Sequence, residues 1–437
     1  MSGLQTKCLE KPTPVIARFD DLFTPGGIAF SAENPHLLLH IADSHSDVEP
    51  VTALPVRTLK GKPQLRFEGS EHTAIGDNTR LRFVENADPV LAQNVPLHLP
   101  NGLALTYGQV LALGGDFYGI VDRPINEGAT PADRLQRFTT AFDSLAALPA
   151  SKAEAIQILA IMQKEIDAVK HAIKDGKQPH EAYDALGDTL SEEWNKITGG
   201  GSFVSSLFPL GRYLKLAANN ADHFGEWARQ AYIAGHTAAL QTAAAAHASQ
   251  DELQLERAYA MNAFADHYLT DLFSSGHLRV PRKAMAAAVT PSDLGSLITR
   301  FMHDEDSKFG LKVRNGHGEQ WRAFGDKRYF DATDADNRNQ VNRAVQDSAD
   351  EVYAAYSSGN VPTTFNALQR LPDLTFVMNL ANNFSPLFRL QGNKVLRRKD
   401  VNNLNDTATV DDWWGWSTYL LLKDYHPTGN TNQGAIR

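Results

Sequence analysis

A single cysteine, Cys8, stands among the 437 residues, so no intrachain disulfide framework can form and a cluster of thiolate metal ligands is excluded. Any metal would have to be held by histidine and carboxylate. No run of about 18 apolar residues occurs, which leaves no membrane-spanning helix to expect. The first residues, MSGLQTKCLEKPTP, lack the apolar stretch of a signal peptide. The expectation is a soluble chain, cytoplasmic or exported by a specialised route other than general secretion. An excess of positive charge is missing too: 42 Lys and Arg face 51 Asp and Glu, a net charge of -9, so nucleic acid is not an expected partner. A small phosphate-containing substrate stays compatible with that charge, because bound divalent cations reverse the local field. No G-x-S-x-G elbow is present to support a serine nucleophile. With 42% hydrophobic and 21% charged residues, the composition is that of a globular protein.

What is there falls into three stretches. Residues 1–105 are rich in Pro and Val, and the short alternations LRFEGSEHTAI and TRLRFVENA predict strands, hence a β-containing N-terminal region. Residues 106–360 turn helical, with Ala-rich amphipathic segments at 130–147, 151–175, 222–248, 251–274, 283–304 and 336–357. Residues 361–437 are rich in aromatics, in FVMNLANNFSPLF and DDWWGWSTYLLLKDYH, and would complete the core or form an apolar surface.

The chemistry concentrates in the helical stretch. In AFADHYLTDLFSSGHL, His267 and Asp271 are four apart, so on a helix they share a face and could bind one cation. Ser274, Ser275 and Gly276 end that helix and let His277 return to the same cleft. FMHDEDSKFG sets His303 beside Asp304, Glu305 and Asp306 near a helix C-terminus, where three acids oppose the macrodipole and ask for a cation, unless they form a solvated turn. His223 follows Asp222 at a helix start, and Asp116 follows two glycines in an apolar neighbourhood where a bare carboxylate is costly. Each taken singly also has a plain structural reading as a core histidine or a surface acid.

The run His267, Asp271, His277, preceded by Asp116 and by His223 with Phe224 and followed by His303, resembles the zinc-dependent phospholipase C family and the single-strand nucleases that share its helical fold. The resemblance implies a mainly α protein with a multi-helix body, a β-containing N-terminal region and an aromatic-rich C-terminal extension. It implies two or three Zn2+ ions. Asp116, His223, His267 and Asp271 would bind one; His277, His303 and an acid would bind a second; Asp271 would bridge to a third. The family places the second-site acid four residues after the later histidine, where this chain has Ser307, so Asp306 is taken as the substitute, with Asp304 and Glu305 as alternatives. The family's N-terminal Trp, a third-ion ligand, has no counterpart, and His40, His45 and Asp47 in HIADSHSD are the candidate replacements. The stretch at about 130–210 reads as a helical insertion.

The activity implied is hydrolysis of phosphatidylcholine-type phospholipids at a membrane surface, giving diacylglycerol and a phosphorylated headgroup. Asp116 would orient or deprotonate the attacking water. Phe117 and Tyr118 match the family's headgroup aromatics and would attract choline by cation–π interaction. The alternatives are a nuclease or phosphomonoesterase on the same scaffold and a non-enzymatic helical protein. Manganese or iron would suit the same ligands.

Overall fold

A computed structural model describes residues 69–411 together with 425 and 427, apart from 187–188, 201–210, 220, 290–291 and 393. His40, His45 and Asp47 lie outside the described residues, as does most of the tryptophan-rich run after 411. The structure is mainly helical.

The centre of the body is α9, Glu252–Asp271, whose second half is buried on every side, from Ala258 through Asp271. A helix covered all round is a core helix, and this one accepts neighbours closely because alanine lines it. Around it pack α8 (Gly225–Ala246), α2 (Tyr107–Tyr118), α13 (Ala335–Ser358) and the short α1 (Gly69–Asp77). Asp251 caps α9 by accepting from Leu253 N and Gln254 N, and Thr106 forms a capping box with Gln109 at the start of α2.

The segment predicted as a strand at 65–75 is, from Gly69 on, α1. Its alternation is too short to separate a strand from a buried helix, and tertiary partners decide the matter. Ser70 N donates to Glu165 Oε1, Ser70 pairs with the Tyr183 hydroxyl, and Gly76 lies against Gly108 of α2, where an added Cβ would sit 2.5 Å from the Gly108 Cα. Of TRLRFVENA only Arg80–Leu81 (β1) is a strand, paired with Val90–Leu91 (β2), and a second ribbon joins Leu97–His98 (β3) to Ala104–Leu105 (β4).

Helices α3 (Pro131–Ala146), α4 (Pro149–Lys174), α5 (Pro179–Leu186) and α6 (Thr189–Ile197) account for most of the described residues of the 130–210 stretch, followed by α7 (Arg212–Asn219). After α9 the chain makes the one-turn α10 (Ser275–Leu278), then α11 (Arg282–Ala288) and α12 (Ser292–Phe309). Strands β5 (Leu311–Arg314) and β6 (Gln320–Ala323) form a hairpin before α13. Beyond α13 come α14 (Asn366–Arg370), α15 (Leu374–Met378) and an antiparallel sheet of β7 (Phe388–Gln391), β8 (Lys394–Arg398) and β9 (Thr409–Val410). No single described helix is long and apolar enough to cross a membrane.

Candidate metal centre

Two glycines open the centre. Helix α2 kinks at Gly114, where a Cβ would stand 2.8 Å from the His267 Cβ, and a Cβ on Gly115 would stand 2.8 Å from the His223 ring. The histidines occupy the space that side chains there would take. The next residue, Asp116, is fully buried, and neither of its carboxylate oxygens accepts a hydrogen bond from a described residue. Burial, together with the Asp271 carboxylate nearby, pushes the Asp116 carboxyl well above the usual carboxylate range.

Helix periodicity places His267 and Asp271 one turn apart on α9. His267 Nδ1 donates to the Leu111 carbonyl at 3.0 Å, which turns its Nε2 toward Asp116 Oδ1 at 3.4 Å and Asp271 Oδ2 at 3.8 Å. His223 ends a 3-10 turn, Ala221–His223, that is fixed because Asp222 accepts from Ile125 N and Asn126 N. His223 Nδ1 then lies 2.8 Å from Asp271 Oδ2 and 3.7 Å from Asp116 Oδ1. Tetrahedral ligand atoms each about 2.1 Å from a metal are roughly 3.4 Å from one another. Asp116, His223 and His267 come close to that spacing, with Asp271 against both imidazoles, and a donor set of imidazoles and carboxylates suits zinc, with manganese and iron also accommodated.

A second group adjoins the first through Asp271, whose Oδ1 is 3.5 Å from His277 Nδ1. His277 sits on α10, stacked on Phe224 with ring centroids 4.6 Å apart, and its Nδ1 donates to the His223 carbonyl. His303 Nε2 is 3.1 Å, and His277 Nε2 3.7 Å, from Asp326 Oδ2. Asp304 holds His303 Nδ1 at 3.0 Å, and Ser274 Oγ donates to Asp326 Oδ1 at 2.7 Å. Burial alone would lower the His303 pKa, but Asp326 and Asp304 outweigh it and raise it to about 9. Burial acts upward on Asp271 and Asp326; the surrounding histidines overcome it and hold both carboxyls low.

Two residues in the centre escaped the sequence reading. Asp326 follows β6, far from the helix where an acid was expected, and only its preceding glycine, as at Asp116, gives any sign. His72 comes from α1, where strand-like alternation concealed it: its Nδ1 pairs with Thr270 Oγ1 at 3.0 Å and its Nε2 is 3.8 Å from Asp271 Oδ1. Burial first, then the His267 charge, drives the His72 pKa down to about 3, leaving a neutral imidazole able to ligate. A cavity of about 50 Å³ between His72, Asp271, His277 and Asp326, walled by Ile75, Phe273, Phe324 and Tyr329, has room for a water or two.

Three expected site residues lie elsewhere. Asp306 is buried against Arg279, whose Nε and Nη2 donate at 2.9 Å and 2.6 Å, so its carboxylate is already paired and turned from the histidines. Phe117 and Tyr118 are core residues, each 1% exposed. Phe117 stacks on Tyr213 at 5.1 Å and meets Trp194 edge-on, while Arg212 lies over the Tyr118 ring. Apolar burial claims both rings. Phe117→Ala is accordingly expected to cost about 3–5 kcal/mol of unfolding free energy, measured by urea denaturation; a loss under about 1 kcal/mol would contradict the core assignment.

Comparison with protein-family models, with curated proteins and with solved structures finds no match to this chain, so its centre is read from geometry and chemistry.

Proposed function

We propose that the chain is a metal-dependent phosphodiester hydrolase, a zinc phospholipase C acting on phosphatidylcholine-type lipids. The observation that carries the metal reading is Asp116: a buried carboxylate without a hydrogen-bond donor among the described residues, facing His223 and His267. A buried carboxylate without donors either gives up its charge or is offset by a cation, and the two imidazoles beside it supply the further ligands a cation needs. The assignment to phospholipids rests on the resemblance of the His267, Asp271, His277 run and its flanking residues.

Bound zinc ions would lower the pKa of water to about 7 and neutralise a phosphate diester. The side chains supply the rest. Asp271 would give Oδ2 to the first group, while its Oδ1 lies beside His72 Nε2 and the His277 ring, which sets the two groups next to each other. Asp116, sharing one oxygen with the ligand set, would keep the other to orient a water and take its proton. The Leu111 and His223 carbonyls and Asp304 hold the ring nitrogens that face away, fixing the tautomers that leave the opposite nitrogens to ligate.

The test is elemental analysis of untagged protein, paired with hydrolysis assays on phosphatidylcholine vesicles, single-stranded DNA and a simple phosphomonoester. At least two zinc equivalents per chain are expected, with vesicle hydrolysis that disappears, together with the metal, in the His267→Ala, Asp271→Ala double variant. Activity on DNA or the monoester alone would move the assignment to those substrates. A parent chain that neither holds nor takes up metal would end the hydrolase reading.

A further inference from the structure

The two ligand groups are built differently. Asp116, His223, His267 and Asp271 come from α2, from the 3-10 turn before α8, and from α9, and their side chains are at most 4% exposed. The second group is more open, with His303 19% and Asp326 22% exposed, and Asp326 is carried by the loop after β6. A loop ligand reaches its place only if the loop is tied down.

One side chain ties this loop at two points beyond Asp326. Glu71 Oε2 accepts from Lys327 N at 3.1 Å and Glu71 Oε1 accepts from Tyr329 N at 2.9 Å. Lys327 has a φ of 73°, a left-handed conformation that a lysine adopts rarely and that needs support from its surroundings. On the other side of Asp326, Gly325 N donates to the Ser307 carbonyl at 3.1 Å, with the Ser307 side chain filling the space a Cβ on Gly325 would need. The loop is thus held from α12 before Asp326 and from α1 after it. Glu71 is buried, and its neighbour His72 faces Asp271. One turn of α1 therefore reaches both ligand groups, His72 directly and Glu71 through the backbone of the loop.

We propose that Glu71 is a positioning residue for Asp326, setting occupancy of the His277, His303, Asp326 site by metal without setting that of the Asp116, His223, His267, Asp271 site. The inference rests on the metal-centre reading above. Glu71 touches no ligand atom; it selects the loop conformation in which the Asp326 carboxylate meets the two imidazoles. Without two acceptor oxygens for Lys327 N and Tyr329 N, the left-handed turn keeps only its own Arg328 N to Gly325 carbonyl bond and the Ser274 bond to Asp326, and Asp326 is held less firmly against the imidazoles.

The experiment counts metal, not turnover. Full-length parent, Glu71→Ala, Glu71→Gln, Asp326→Ala and the Glu71→Ala, Asp326→Ala double variant are loaded with zinc, titrated with a competing chelator and analysed for metal, with thermal unfolding recorded for each. Glu71→Ala and Asp326→Ala are each expected to hold one equivalent fewer than the parent, and the double variant no fewer than either single. Glu71→Gln keeps the side-chain shape and one acceptor, and is expected to fold like the parent while its weaker ion is released at about 10- to 100-fold lower chelator strength, the usual penalty for losing an outer partner of a metal site. If the Glu71 variants retain the full complement at parental affinity, the assignment is overturned. Loss of every ion from folded Glu71→Gln would overturn it as well, by showing that Glu71 supports the whole centre. A parent that binds no metal would instead defeat the metal-centre reading itself.

Discussion

Asp116→Asn is expected to make the metal-free protein more stable and, at the same time, to remove hydrolysis. The two effects share one cause. In the absence of a cation Asp116 is either ionised with neither oxygen accepting a hydrogen bond from the described residues, or protonated because burial has raised its pKa, and both states carry a penalty in the folded form. An amide of the same shape carries no charge to desolvate. In chelator-treated protein at neutral pH the substitution should therefore raise unfolding free energy, by about 1.4 kcal/mol for each unit by which folding raises the Asp116 pKa.

With metal the order reverses. A ligand at 100 times its Kd stabilises the folded state by about 2.7 kcal/mol, and the variant, short of an anionic ligand, forgoes much of that. Hydrolysis should fall by at least about a thousandfold, or roughly 4 kcal/mol in transition-state stabilisation. Urea denaturation of both proteins with zinc and with chelator, beside vesicle hydrolysis, measures all three quantities. An asparagine variant less stable than the parent in chelator would show that the carboxylate has a structural partner of its own.

The same penalty explains what was legible in the sequence. Asp116 stood out because GGDFY puts an acid among apolar residues, and His267 with Asp271 because helical period alone sets them on one face. The mainly helical character followed from the Ala-rich segments. His72 and Asp326 were hidden for different reasons: the first sits in a segment whose helix is decided by packing against α2 and by bonds to Glu165 and Tyr183, and the second reaches the centre only through loop contacts between residues remote in sequence. Spacing reports on neighbours along one element. It does not report which loop folds back over a helix end.

The acid run after His303 shows the limit most directly. Three acids at the end of α12 do require positive charge, but Glu305 and Asp306 receive it from arginine. Arg398 donates to Glu305 Oε1 at 2.9 Å and Oε2 at 2.7 Å, Tyr425 adds its hydroxyl, and Arg279 pairs with Asp306. Both partners of the Arg398 and Glu305 pair have fully buried side chains.

Arg398→Leu is therefore expected to lower unfolding free energy by about 3–5 kcal/mol, because it strands a buried carboxylate. Adding Glu305→Leu should return a large part of that loss, since an apolar pair can replace a buried ion pair at little cost. The Ser385 and Val401 carbonyls, which also accept from Arg398, keep the recovery incomplete. Urea denaturation of the parent, the two single variants and the double variant gives the coupling energy. A double variant no more stable than Arg398→Leu would mean that the unpaired carbonyls, not the stranded Glu305 charge, dominate the loss. Recovery of stability would place the pair among the supports of α12, two residues beyond His303, and would make the sheet from Phe388 to Val410 part of the scaffold of the second ligand group.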